Sequence, residues 1–326
     1  MLDHTELFCT LDDFCKVFEP FYHQALKDAG VTKRTRRSEL SLSEIMLIAV
    51  WFHQAHFTNF KHFIGFIRFY HAKEFPALPS YERVSALVNQ HAPALAALFE
   101  ATCMKADSDN IFMIDSTTLP VCHNKRIRQH RTFKQYAARA MTSMGWFYGF
   151  KLHLVINRAC EIVSARITAG NISDVSMMKT LLLRRNLQGK VYGDKGYISS
   201  EKKEDLQQHG CIVITRVRSN MVEPELSAED EHYLNQRNSI EVVNGQHKCG
   251  LGLQHTRHRS LKGLLAHVYG VMIAYQLRKA KCKIRPFEEA AYPWLALVKY
   301  KVDYNDVRLQ FKALESEQNE KKLNAA

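Results

Sequence analysis

Asn110-Ile111-Phe112-Met113-Ile114-Asp115-Ser116-Thr117-Thr118 sets the fold of this chain. Four apolar residues in a row, stopped by a carboxylate, read as a short buried strand ending at Asp115. Before this stretch the pattern is helical. After it, strand-like runs alternate with helical ones. Gly149 to Ile156 and Glu161 to Thr168 flank a short turn at Asn157 to Cys160, which predicts a hairpin. Asn171 to Arg184 reads as a helix with Ser173 and Asp174 near its start. Lys190-Val191-Tyr192-Gly193 reads as a strand leading into Asp194. Ser200 to His209 is helical and closed by Gly210, and Cys211 to Thr215 is strand-like. Ser227 to Lys248 reads as one long helix with a Ser227/Asp230 capping pattern and Gly250 just past its end. Leu261 to Ala280 reads as another. This order predicts an α/β unit, a mixed five-stranded sheet flanked by helices, over residues 106–285.

Residues 1–105 predict an all-helical N-terminal domain. Leu11, Phe14, Val17, Phe18 and Phe21 recur at helical spacing, and Gly30 is a stop. A basic loop runs from Lys33 to Arg37. Ser41 and Glu44 form a capping box, and Asn59 and Ser80 are placed to cap two more helices. Such a bundle suits DNA binding or dimerisation, and no recognition-helix signature separates the two. Residues 286–326 read as a C-terminal extension, partly helical or disordered, rich in Glu, Lys, Gln and Asn from about Ser316.

The chain has 326 residues, 46% of them hydrophobic, with 45 Lys+Arg against 33 Asp+Glu, a net charge of +12 and a pI near 9.3. That balance favours polyanionic partners, nucleic acid above all. The eight cysteines include no C-x-x-C pair, so the spacing of a structural zinc site is absent. The N-terminus carries acids where a signal peptide needs cations, and no run of 18 apolar residues occurs. The expectation is a cytoplasmic, nucleoid-associated protein with no membrane partner. No P-loop or G-x-G-x-x-G is present.

Three carboxylates stand out by setting. Asp115 and Asp194 end predicted strands, and strand ends converge at a sheet edge. Glu241 lies on the following helix, where Arg237, Glu241, Asn244 and Lys248 fall within roughly 60° of one another. Taken alone, that stripe is also an ordinary solvated ladder with an Arg237–Glu241 pair. Asp194 sits in Gly193-Asp194-Lys195-Gly196-Tyr197, where the glycines permit close approach of a phosphate, Lys195 is placed to touch one, and Tyr197 is a candidate for stacking on a base. Between Ser116 and Cys160 there is no Asp or Glu, while Lys125, Arg126, Arg128, Arg131, Lys134, Arg139, Lys151 and Arg158 alternate with aromatic residues, as a DNA-facing loop would. His255 and His258 form an H-x-x-H pair without partners at useful spacing, and His153 reads as a packed strand residue.

These residues resemble a known family. Ile114-Asp115-Ser116-Thr117, Gly149-Phe150-Lys151-Leu152-His153, Asn171-Ile172-Ser173-Asp174, Gly193-Asp194-Lys195-Gly196-Tyr197 and Arg237-x3-Glu241-x6-Lys248 are together similar to bacterial insertion-sequence transposases of the DDE class. Tyr233 stands one place early against that family's signature. The resemblance spans about Asn110 to Lys248. It implies an RNase H-like catalytic domain in which Asp115, Asp194 and Glu241 bind two Mg²⁺ (or Mn²⁺) ions. It further implies Arg237 and Lys248 as phosphate contacts near the element end, and the residue pattern itself adds Asn244, Lys195, Lys125, Arg126, Arg128, Arg131 and Lys134 as DNA-facing candidates. The implied reaction is cleavage at transposon ends and strand transfer into target DNA, in a homodimer or larger synaptic complex. An RNase H-like nuclease without strand transfer, or a non-catalytic DNA-binding derivative, would carry many of the same features.

Overall fold

The computed structural model describes residues 3–30, 38–104, 110–143, 145–217, 221, 225–254 and 257–287. The Lys33–Arg37 loop, His255 and the extension beyond Phe287 lie outside these residues.

Five helices come first: α1 (His4–Asp28), α2 (Leu42–Gln54), α3 (Phe60–Tyr70), α4 (Tyr81–Gln90) and α5 (Ala92–Met104). Their starts are written in the sequence. Ser41 and Glu44 close a reciprocal capping box on α2, Asn59 caps α3 and Ser80 caps α4. On α1 the buried stripe is Leu7, Leu11, Cys15 and Tyr22, while Val17 and Phe21 are 70% and 72% exposed. Helical spacing identified the element there but misassigned part of the buried face.

The sheet follows. Its strands are β1 (Ile111–Cys122), β2 (Ala138–Thr142), β3 (Gly145–Asn157), β4 (Ile162–Ala169), β5 (Gly189–Gly193) and β6 (Cys211–Thr215), with α6 (Asp174–Leu183) and α7 (Ser200–Gln208) between the later ones. The order is β2-β3-β1-β5-β6, with β4 also paired to β3. β1, β3 and β4 run antiparallel, whereas β5 is parallel to both β1 and β6. This is the RNase H-like arrangement, a mixed α/β sheet with helices in the parallel crossovers.

Two corrections to the sequence reading concern the sheet. Among the described residues it has six strands, not five, because Ala138–Thr142, inside the acid-free stretch, pairs with β3. Five residues with a basic, alternating pattern carry too little signal to mark a strand apart from its partner. Nor does β1 end at Asp115. It continues to Cys122 because β3 supplies an antiparallel partner throughout, from Phe112↔Asn157 to Cys122↔Tyr148.

Phe112, Ile114, Val155, Val191 and Val213 pack on Met178, Leu181 and Leu182 of α6 and Leu206 of α7. Each such side chain, when buried, contributes about 1.5–3 kcal/mol. The alternate residues Met113 and Tyr192 are buried as well, so both faces of the sheet centre are covered.

After β6 the expected single helix is broken in three: α8 (Ala228–Gln236), α9 (Asn238–Gly245) and a π-helical turn, Gln246–Gly250. Arg237 stands at the break with αR backbone and no side-chain cap. The predicted Ser227 cap is present, its hydroxyl accepting from the Asp230 amide. α10 (Leu261–Gln276) packs against α5, α2 and α4. Gln276 exchanges two hydrogen bonds with the backbone of Ile162 at the start of β4, and the Tyr275 hydroxyl donates to Cys160 O at 2.6 Å. Arg184 and Arg185, just past α6, pair with Glu100 of α5. Residues 225–233 and 285–287 belong to a second, smaller unit, in which the Phe287 amide donates to the Tyr233 hydroxyl at 3.1 Å.

Glycine marks the tightest crossing. A Cβ on Gly149 would meet Leu119 O at 2.1 Å, so Gly149→Ala should destabilise the protein by about 2–4 kcal/mol. Gly65, inside α3, has open space around its Cβ position, and Gly65→Ala should stabilise by up to about 1 kcal/mol. Urea midpoints of the two variants moving in the same direction would contradict this packing.

Candidate active site

Parallel pairing of β1 with β5 brings Met113 opposite Tyr192 as its last register pair. Asp115 and Asp194 each lie two residues further on, so neighbouring strands deliver both carboxylates to one level of the sheet. α9 packs on β1 and brings a third group over that level. Asn244 Nδ2 donates to Asp115 Oδ2 at 3.0 Å, and Arg237 pairs with Glu241 at 2.8 Å, one turn earlier on the same helical path.

Asp115 feels the other two acids. Burial raises the Asp115 carboxyl from 3.8 to about 6, and the negative charges of Asp194 and Glu241 add to the rise. The Ser116 amide and the Arg237 guanidinium oppose it. Lys248, on the π-helical turn, is half-buried and lowered by desolvation while Asp115 holds its charge. Tyr197 is 1% exposed, and its hydroxyl is pushed up by burial and then by Asp174, Asp115 and Asp194. A base cannot stack on so buried a ring; Tyr197 instead forms part of the floor beneath the acids.

The ligand atoms of the three acids are not all within 4.8 Å of one another. Among the described residues only His4, His71 and Glu74 meet that spacing. Each acid is engaged by the chain itself: Asp115 by Asn244, Glu241 by Arg237, and Asp194 by the Gly196 amide, as the cap of a 3-10 turn. The Glu241 side chain is 55% exposed. A cleft of about 380 Å³ adjoins Asp194, with Lys195, Arg216, Arg237 and Asn238 along its walls.

The donor set fits hard divalent cations. Mutual repulsion and partial desolvation, the causes of the Asp115 shift, are relieved by a bound dication. The Asn244 Oδ1 atom is also buried without a hydrogen-bond partner, beside Asp115.

A fourth acid, to which spacing assigned no role, approaches the group. Asp174, the first residue of α6, accepts from Lys151 Nζ at 3.1 Å and lies 3.6 Å from His153 Nδ1. Burial lowers His153 to about 4, and its Nε2 bonds Thr168 Oγ1 at 2.8 Å. Lys151 is therefore a half-buried ion-pair partner on β3 rather than part of a DNA-facing loop. The available signal was that the Lys151 and Asp174 motifs occur in one resemblance.

The acid-free stretch folds as a 3-10 turn (Asn124–Gln129), a loop and the edge strand β2. Lys125, Arg126, Arg128, Arg131 and Lys134 are exposed. Arg139 stacks on exposed Trp146 at 4.4 Å.

Residues 105–261 match the family described as "Transposase DDE domain". No curated protein matches the chain. Among solved structures, a piggyBac transposase synaptic complex with hairpin DNA superposes with a TM-score of 0.45 at 11% identity, over 77% of this chain and 69% of that one. A Mos1 transposase paired-end complex with left transposon end gives 0.22 at 10% identity, over 79% and 82%. The Mos1 strand transfer complex gives 0.21 at 9% identity, over 86% and 99%. The family match, and not these superpositions, carries weight.

The Asp115 shift has a sign that can be checked. A folded pKa of about 6 against 3.8 means that, without divalent ions, stability is full below about pH 4 and is lost as pH rises through 6. In EDTA at pH 7.5, Asp115→Asn should therefore be more stable than the parent by about 1–3 kcal/mol, with no gain at pH 4. Equal differences at both pH values would contradict the assignment.

Proposed function

We propose that this chain, whose residues 105–261 match the transposase DDE domain family, is a DNA transposase that cleaves transposon ends and joins them to target DNA. The observation that carries this reading is the delivery of Asp115 and Asp194 to one level of adjacent parallel strands, with α9 bringing Glu241 close enough to perturb Asp115. In this reading Asp115, Asp194 and Glu241 hold two Mg²⁺ or Mn²⁺ ions. Bound there, the ions would make a water nucleophilic near neutral pH and stabilise the oxygen that leaves phosphorus.

The remaining roles fall to the chain's own groups. Asn244 orients the Asp115 carboxylate. Arg237 exchanges Glu241 for a DNA phosphate when the site loads, which frees Glu241 to turn toward the aspartates. Lys248 and Lys195 offset the charge of the scissile phosphate. In the first step water adds to phosphorus and the strand's 3′-oxygen departs as a free hydroxyl. That hydroxyl then attacks a target phosphodiester in line. Two ends held together require at least two copies of the chain. Lys125, Arg126, Arg128, Arg131 and Lys134 line an exposed surface for the flanking duplex.

Asp115→Asn, Asp194→Asn and Glu241→Gln should each reduce Mg²⁺-dependent cleavage of a labelled element end by about 10³-fold or more, while duplex affinity stays within a few-fold. Full activity in any one of them removes that residue from the triad. Cleavage without joining in the parent would identify a nuclease. Separately, Arg126, Arg128 and Arg131 changed together to Ala should reduce the slope of log K against log salt by about 3. An unchanged slope would place the duplex elsewhere.

A further inference from the structure

A second cavity lies away from the carboxylates. It has a volume of about 610 Å³ and opens among α2, α3, α4 and the start of α10. That size is within the range of small-molecule sites. Three helices present their N-terminal ends to it: α3 through its cap Asn59, α4 through its first residue Tyr81, and α10 through its cap Ser260. Their caps take up first-turn amides, and their dipoles favour an anion. Lys61, Arg257 and Arg259 line the rim and are exposed. No Asp or Glu lines the cavity among the described residues; Glu82, which feels the charge of Lys61, is exposed and outside the lining.

Deeper in, the chemistry changes. Phe52, Phe60 and Tyr81 are half-buried, with ring centroids 5.2 Å apart for Phe52 and Phe60 and 6.1 Å for Phe60 and Tyr81. Below them lies His267, 8% exposed, whose Nε2 is buried with no hydrogen-bond partner. A buried polar atom without a partner is costly in the free protein and is relieved by a ligand that hydrogen-bonds to it. Burial holds His53, His258 and His267 neutral: His53 falls to about 3, His258 to about 4, and His267 well below its ordinary value. The site thus has a cationic rim over an uncharged, aromatic, hydrogen-bonding floor. A simple inorganic anion uses only the rim. A planar heterocycle carrying a phosphate uses both.

We propose that this cavity takes one unpaired nucleotide of a DNA strand, its base against the Phe60 and Tyr81 rings and toward His267 and its phosphates on Lys61, Arg257 and Arg259. The choice of DNA rests on the transposase reading above; the recognition of a phosphorylated base does not. Base stacking on aromatic side chains is tolerant of sequence, so the site serves to hold a frayed or single-stranded segment.

Fluorescence anisotropy of the full-length chain with a labelled single-stranded 20-mer and the matching duplex tests this. Lys61, Arg257 and Arg259 changed together to Ala should weaken single-strand binding about tenfold or more. The same variant should lower the salt slope by about 2, given roughly 0.7 per contact. Tyr81→Ala should weaken single-strand binding about fivefold or more and leave duplex binding unchanged. Because the three cations are exposed, the triple variant should unfold at the parental temperature. Parental affinity and slope in both variants would overturn the proposal. So would a parent stabilised by millimolar dAMP, through the same residues, with single-strand affinity untouched, since the occupant is then a free nucleotide. A parent that binds neither single strand nor duplex instead overturns the DNA reading of the whole chain.

Discussion

A single hydrogen bond, from Asn244 on α9 to Asp115 in mid-β1, ties the helical segment to the acidic edge of the sheet. The sheet alone can present two carboxylates, because β1 and β5 are parallel neighbours whose registered pairs stop two residues short of each aspartate. It cannot present a third from the same level without a helix laid across it. α9 meets that need, and Asn244, only 7% exposed, anchors it at the acid that must not move. Glu241, three residues earlier, is left on the solvent side with Arg237 as its partner. One residue of the pair fixes position; the other keeps freedom to turn.

The electrostatics follow from that placement. A carboxylate lowered into a half-buried edge beside two others is unfavourable by itself, and the rise of Asp115 to about 6 is the measure of it. The chain compensates with short-range donors: the Ser116 amide, Asn244, and Arg237 and Lys248 at longer range. None of these is strong enough to restore an ordinary carboxylate. In the proposed reading a bound cation would relieve this unfavourable placement.

Much of this was legible in the sequence, and the failures have physical causes. Helix starts at Ser41, Asn59, Ser80, Ser173 and Ser260 are local events, fixed by one side chain and one amide. All but the last were visible as cap signals. Strands with apolar runs, such as Lys190–Gly193 and Cys211–Thr215, were equally plain. β2 escaped because its existence depends on β3 rather than on itself. The extension of β1 past Asp115 had the same origin: Ser116, Thr117 and Thr118 are strand residues because Lys151, Leu152 and His153 face them. The break at Arg237 and the π-helical turn at Gln246–Gly250 leave the apolar pattern nearly intact, so periodicity sees one helix. At the site, spacing grouped Arg237, Glu241, Asn244 and Lys248 on one helical stripe, and the structure divides that stripe between α9 and the π-helical turn. Only the folded chain shows that Asn244 and Lys248 turn to Asp115, and that Lys151 and Asp174 meet across 23 residues.

The account rests on Asp115, Asp194 and Glu241 sharing divalent ions. The most direct test is a crystal structure of the protein grown in Mn²⁺, with the ions located by anomalous scattering. The account predicts metal about 2.1 Å from carboxylate oxygens of all three residues, with Glu241 turned away from Arg237. Mn²⁺ bound by the two aspartates while Glu241 keeps its Arg237 partner, or bound only elsewhere, would contradict it.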